Sequence, residues 1–257
     1  MAEKPAVAAA VVTRRGAAAE AKSGGRPAEP MPASKAAVPK KRAPRGRPKL
    51  VDGGIIRKNI LDAAIRIFAE RGLSGARIAT ISKLARSNDR MIYYYFGSKE
   101  KLYIAVLETL YRNMTDAERE LALDLTDPMD ALRRLARFTM QHYVDHPEMI
   151  TVLNNENLHR GRHVSKAKSL KRLSSPALEL VEKIVSRGIA EGVFRDDVES
   201  RQLYIAIMSL NYFYVSNRWT LTAFLGHDLM AADELAGWQD WVWKMIERSV
   251  SSRGAAR

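Results

Sequence analysis

The chain has 257 residues, 46% of them hydrophobic, enough for one long-core domain or two smaller ones. Its formal charge of +13 is lopsided: residues 1–50 hold 12 Lys or Arg against 3 Glu, a net of +9, leaving +4 for everything after them. Nucleic-acid affinity is therefore expected at one end, and with no cysteine nothing argues for an oxidising compartment, so the cytoplasm is the expected location.

Residues 1–50 also hold seven of the ten prolines, many alanines and almost no large apolar groups. Such a segment cannot bury enough surface to offset chain entropy and is expected to be a disordered basic arm. Its opening, MAEKPAVAAAVV, is too interrupted for a transmembrane span and lacks the apolar core of a signal peptide, so no membrane partner is expected. The arm ends in PRGRP, Pro44 to Pro48, which resembles the core of an AT-hook. Gly46 would let the backbone approach the floor of a minor groove, the prolines would hold an extended path, and Arg45 and Arg47 would lie along the electronegative groove of A·T-rich DNA. The competing reading is a solvated basic linker.

Residues 51–100 are expected to form a small helical head. Asp52 to Gly72 places Ile56, Ile60, Ala63, Ala64, Ile67 and Phe68 at helical spacing, with Gly72 as the stop. A turn over Leu73 to Ala76 leads to a helix from about Arg77 to Ala85 that lacks the usual Ser or Thr cap. Then comes ISKLARSNDRMIYYYFGSKEKL, Ile81 to Leu102. Ser87 and Asn88 break the helix because their side chains bond nearby backbone, and Asn88 is the N-cap expected for the next one. That short helix carries Arg90, Met91, Tyr93, Tyr94 and Tyr95, more amphipathic bulk than a small core can bury. Ser98 caps the following helix, and Lys99 in its first turn suits the helix dipole only if it faces a phosphate.

This pattern resembles the DNA-binding segment of the TetR-type bacterial transcriptional regulators over roughly Ile55 to Leu107. The most specific part is Ile81, Ser82 and Ala85, followed by Tyr93, Phe96, Lys99-Glu100 and Leu102. Two positions depart from it: Arg86 stands where the joint usually has glycine, and Arg90 where a small residue is usual. The resemblance implies a helix-turn-helix whose recognition helix, Asp89 to Phe96, enters the major groove. On it Arg90 would fork onto guanine, Met91 touch a thymine methyl, and Tyr94 and Tyr95 reach phosphates, with Tyr93 and Phe96 as the inner face. Arg77, Thr80, Asn88 and Lys99 complete the expected DNA contacts. The bland alternative has all three tyrosines as core and rim.

Downstream, residues 101–252 read as helices throughout. The helix from Ser98 continues to about Ala122; Asp127-Pro128 opens the next, ending near His146-Pro147; another runs from Pro147 to about His159, followed by a basic loop from Arg160 to Arg172. Ser175-Pro176 starts a helix to Gly192, and two long helices follow, about Ser200 to Leu225 and Ala231 to Ser251. No alternating strand pattern appears, so the fold is expected to be all-α: a three-helix DNA-binding head and a larger helical ligand-binding and dimerisation domain. The last two helices look too apolar for a monomer's surface, and the resemblance implies a homodimer through that pair, with two recognition helices about 34–36 Å apart on an inverted-repeat operator.

Polar or aromatic groups within apolar helices are the candidate small-molecule contacts: Tyr143, Asn154, Glu156, His159, Asn211, Tyr212 and Trp219. His142 with His146, and His159 with His163, share i and i+4 spacing, but one pair abuts Pro147 and the other runs into a loop, so no metal is expected. No nucleophile elbow, phosphate-binding glycine loop or compelling carboxylate pair is present, so neither catalysis nor a cofactor is expected. The leading expectation is a ligand-responsive dimeric transcriptional regulator, a repressor being the commonest case in the family. The alternatives are an architectural A·T-rich DNA-binding protein without an effector and, last, an enzyme with an unrecognised helical site.

Overall fold

A computed structural model describes residues 53–121, 123–167 and 175–252; the basic arm with Arg45 and Arg47 lies outside them. Among the described residues there are ten α-helices and no strand, with one isolated antiparallel bridge between Phe194 and Ser251. The head contains α1 (Gly53–Gly75), α2 (Ile78–Leu84) and α3 (Asp89–Phe96), and α4 (Lys99–Glu120) leads out of it. The body contains α5 (Pro128–Asp145), α6 (Pro147–Leu158), α7 (Ser175–Ala190), α8 (Ser200–Ser216), α9 (Arg218–Leu225) and α10 (Ala232–Val250).

Local chemistry sets most of these boundaries. Gly72 ends the regular part of α1 at φ 64°, a conformation in which a side chain is strained, and a Cβ there would also meet Asn155 Oδ1 of α6 at 3.0 Å. Asn88, Ser98 and Asp127 each accept a hydrogen bond from a backbone N–H in the first turn of α3, α4 and α5. Pro128 and Pro147 stand at the starts of α5 and α6, where a missing N–H costs nothing.

The expected helix from Ser200 to Leu225 is instead two helices, broken at Asn217 (φ −101°, ψ 9°). Polar side chains satisfy the carbonyls at the break: Asn217 Nδ2 donates to Phe213 O at 2.9 Å and Arg218 Nη1 to Val215 O at 2.7 Å. An apolar periodicity continues across such a joint, so the pattern alone could not reveal it.

One apolar core runs across the junction of head and body. It joins Ile60, Phe68, Ile81 and Ile92 in the head to Tyr103, Val106 and Leu107 of α4, Met140 and Tyr143 of α5, and Met149 and Val152 of α6. A second core gathers Leu132, Leu135, Ile184, Leu203, Ile207 and Ile246 from α5, α7, α8 and α10. The head is thus packed onto α4 and α6 rather than hung from a linker.

Candidate nucleic-acid interface and effector region

The recognition helix α3 is framed from inside. Ile92 and Phe96 are its buried residues, one turn apart, and Arg57 of α1 sets its guanidinium over the Phe96 ring at 5.2 Å. Tyr93, expected beside Phe96 on the inner face, is 52% exposed: a four-residue step aligns Ile92 with Phe96 and turns Tyr93 outward. Asn88 Oδ1 accepts from Met91 N at 3.1 Å, so its carboxamide oxygen is committed to capping. Asp89 accepts from Ser82 Oγ and locks α3 onto α2, while its charge favours the positive end of the helix.

The outward face of α3 then consists of Arg90, Tyr93 and Tyr94, all exposed. Met91 is half-buried against the head core. Tyr95 is half-buried, its ring edge-on to both Tyr94 and Phe96, and a Cβ on Gly53 would lie 3.0 Å from its hydroxyl; that hydroxyl sits against the start of α1. Arg77 is exposed at the N-cap of α2 and Thr80 is half-buried behind it. Lys99 Nζ donates to Ala76 O at 2.8 Å, tying the first turn of α4 to the loop that launches α2.

The joint between α2 and α3 is built on Arg86, at φ 51°. A non-glycine residue there costs on the order of 1–2 kcal/mol. Arg86 is exposed and shares a shallow groove with Arg66, Asn59 and Leu84, which adds cations beside the recognition helix.

In the body, the seven candidate effector contacts separate into groups. Tyr143, Tyr212 and Asn154 come together across α5, α6 and α8: the two rings meet edge to face with centroids 5.9 Å apart, Tyr212 donates to Asn154 Oδ1, and Asn154 Nδ2 reaches Ser216 Oγ at 3.0 Å. Glu156 is fully employed inside the protein. Its Oε1 accepts the backbone N–H groups of His163 and Val164 at 2.6 and 3.0 Å, and its Oε2 lies 2.9 Å from His163 Nδ1. Burial pushes this carboxyl up, but the hydrogen bonds from Val164 and His163 outweigh it and hold the group below its usual range.

Asn211 is buried and donates to Ile207 O at 2.9 Å and Ala136 O at 3.3 Å. His159 is exposed, with Nδ1 2.7 Å from Asn155 O, and Trp219 is 73% exposed on α9. Of the histidine pairs, His142 and His146 have ring centroids 4.5 Å apart, whereas His163 turns away to Glu156. Among the described residues no group of three or more metal-ligating side chains forms, and no helix is long and apolar enough to cross a membrane.

Sequence reasoning missed further polar groups around Tyr143, whose hydroxyl itself reaches Met208 Sδ at 3.6 Å. Tyr111 and Tyr204 interact electrostatically with it, as does Glu118. Glu118 is 5% exposed, and burial raises its carboxyl to about 7 against a smaller opposing pull from Arg119. The signal was present: Leu107, Leu110, Met114 and Glu118 recur on the apolar face of α4 at steps of three and four, so a carboxyl occupies a core position. Glu118 opens on a cleft of about 310 Å³ shared with Thr115, Leu123, Leu180 and Lys183.

Comparison with known proteins gives concordant matches. Residues 60–106 match the model for bacterial regulatory proteins of the tetR family, and residues 128–246 that of a tetracyclin repressor-like C-terminal domain. The HTH-type transcriptional repressor NicS of Pseudomonas putida is 50% identical over 194 residues, 76% of this chain and 92% of its own. The HTH-type transcriptional repressor SCO4008 of Streptomyces coelicolor is 34% identical over 102 residues, covering 40% of this chain and half of its own. Among solved structures, the regulator FadR from Bacillus subtilis in complex with stearoyl-CoA superimposes with a TM-score of 0.57 at 18% identity, over 75% of this chain and 98% of its own. The hemolysin II regulator HlyIIR does so with a TM-score of 0.54 at 24% identity, over 79% and 100%.

Proposed function

The chain belongs to the TetR family of bacterial regulatory proteins, and from that premise we propose that it is a dimeric, effector-responsive transcriptional repressor of an inverted-repeat operator. The observation that carries this reading is the construction of α3. Its inner face and both polar residues at its N-terminus are engaged within the head, leaving Arg90 and Tyr94 exposed on a rigid support. Arg90 would read guanine O6 and N7, and the Tyr94 hydroxyl would reach phosphate. Arg77, Thr80, Lys99 and Arg86 would flank them along the backbone, and Arg45 and Arg47 would follow the adjacent minor groove.

Two heads must meet successive major grooves about 34–36 Å apart. A two-fold dimer through α8 and α10 supplies that symmetry. The exposed apolar side chains Ile205 and Phe213 of α8 and Trp241 and Met245 of α10 support this surface. The protein would act in the cytoplasm at the nucleoid, with no catalytic step and no metal.

The effector region would be the polar cluster of Tyr143, Tyr111, Tyr204 and Glu118, reached through the cleft beside α4 and extended by Tyr212 and Asn154. A small molecule that favours one arrangement of α4 and α6 would shift the spacing of the heads. The supporting contacts are direct: Phe68 of α1 packs edge-on to Tyr103 of α4 at 5.1 Å, and Tyr103 meets His163, the partner of Glu156, at the same distance.

The test is binding-site selection on random duplexes with the whole protein and with a variant lacking residues 1–50. Arg90→Ala is expected to relax one base position and weaken the selected site by about 1–3 kcal/mol, with little effect on random DNA. Equal losses on selected and random duplexes would overturn the reading. A metabolite screen by melting temperature, followed by operator release, identifies the effector; failure across a broad panel counts against sensing.

A further inference from the structure

The cleft beside Glu118 holds an unbalanced charge. Glu118 is buried, while the other charge-bearing side chains that line the cleft, Arg119, Glu179 and Lys183, are exposed. Among the described residues no Lys or Arg is buried, so none balances this acid from within the body. On α5 and α8 its charge meets Tyr143 and Tyr204, whose hydroxyls are pushed up by burial and by neighbouring charges, Glu118 among them. Both hydroxyls therefore stay neutral.

The place of Glu118 on α4 adds to the imbalance. The helix ends at Glu120, so Glu118 stands in the last turn, where unpaired carbonyls concentrate partial negative charge and a cation is favoured. Two exposed arginines answer that charge from solvent: Arg119 pairs with Asp116 at 3.3 Å, and Arg134 donates to Leu121 O at 2.9 Å. The inner side of the turn is left with an acid and with the half-buried walls Leu123, Leu125 and Leu180 of a cleft of about 310 Å³. That volume is at the small end of ligand sites.

We propose that the effector is a small organic amine: its protonated nitrogen pairs with Glu118, and its apolar body lies between Leu123, Leu125 and Leu180. An anionic guest would set a second negative group beside a buried acid, and a neutral one would leave the cost of ionising that acid unmet. A cation offsets that cost and answers the carbonyls of the turn as well. Because α4 also carries Tyr103 and Leu107 into the core shared with the head, a guest held at its last turn acts on the helix that places the reading surface. This rests on the effector-responsive reading above and names the chemistry of that same region.

The test uses the whole protein and its selected operator. Primary amines from butylamine to phenethylamine are titrated, each beside the alcohol and the carboxylic acid of the same skeleton, and read by operator release in fluorescence anisotropy and by melting temperature. An amine is expected to release the operator at concentrations about a hundredfold below those its alcohol and acid require. Calorimetry in two buffers of different ionisation enthalpy then counts protons. With the Glu118 carboxyl raised to about 7, an amine that arrives charged at pH 7 should expel about half a proton on binding. Glu118→Gln should weaken amine binding about a hundredfold with helical circular dichroism retained, and Glu118→Asp by less. The proton count is made on the wild type, so it decides the matter even where a variant loses helicity. Operator release by acids or alcohols alone overturns the amine and leaves the effector reading standing. An amine that acts without expelling a proton, or whose affinity survives Glu118→Gln in a folded variant, overturns the pairing with Glu118. Release by no compound in any arm overturns the amine and the effector reading together.

Discussion

Glu118→Gln replaces a buried carboxyl with a neutral group of nearly the same shape, so it isolates the cost of ionising that position. Glu118 is 5% exposed, and burial, against a smaller opposing pull from Arg119, raises its carboxyl from 4.5 to about 7. At about 1.36 kcal/mol for each pH unit, that gap corresponds to about 3 kcal/mol between the protonated and ionised forms in the folded protein. The sign follows from linkage: the folded state holds the proton more tightly than the unfolded chain, so the contribution is fully present below about 4.5 and is lost as pH rises through about 7. Urea unfolding at several values between pH 4.5 and 8, for the wild type and Glu118→Gln, reads it directly, because every other titrating group cancels in the difference. The wild type should lose up to about 3 kcal/mol relative to the variant across that window. A difference that stays flat, or that moves in favour of the wild type as pH rises, would refute the assignment of Glu118 as a carboxyl held neutral by burial.

His142 carries the opposite sign: burial, reinforced by His146, lowers it from 6.5 to about 4, so His142→Gln should remove a loss of stability that the wild type shows as pH falls through that range, measured by the same unfolding series. Asn88→Ala deletes the cap on Met91 N and should lower stability by about 1 kcal/mol, visible as a reduced melting temperature with the body helices intact. Arg86→Gly relieves a left-handed joint and should stabilise the head by about 1 kcal/mol, while weakening DNA binding and its salt dependence together if the side chain meets phosphate. Gly188→Ala places a Cβ 2.2 Å from the Phe194 ring and should cost about 1–3 kcal/mol of overpacking, read as a lower urea midpoint at unchanged operator specificity.

Much of the fold was legible because helix punctuation is local. The caps Asn88, Ser98 and Asp127, the stop at Gly72 and the prolines at 128 and 147 fall where the sequence puts them, since each acts on backbone within a turn of itself. The head was also legible as a DNA-binding unit: an N-capped helix too rich in Arg and Tyr to be buried must face a partner, and the chain proves to belong to a family of DNA-binding regulators.

What the sequence could not decide depends on which surfaces meet. Tyr93 and Ile92 are neighbours, and only the packing of α3 on α1 and α2 sends Ile92 inward and Tyr93 outward. Glu156 was a candidate effector contact until the fold brought His163 and Val164 onto its carboxylate. Trp219 was a candidate effector contact on one long expected helix, yet the helix breaks at Asn217 and Trp219 stands exposed on α9. Composition and spacing thus determined most of the helices, the ends set by caps and prolines, and the chemistry of the reading head, because those depend on interactions within a few residues, whereas the break at Asn217 left no such mark. Which polar side chains remain free to bind something depends on contacts between segments tens of residues apart, and those exist only once the chain has folded.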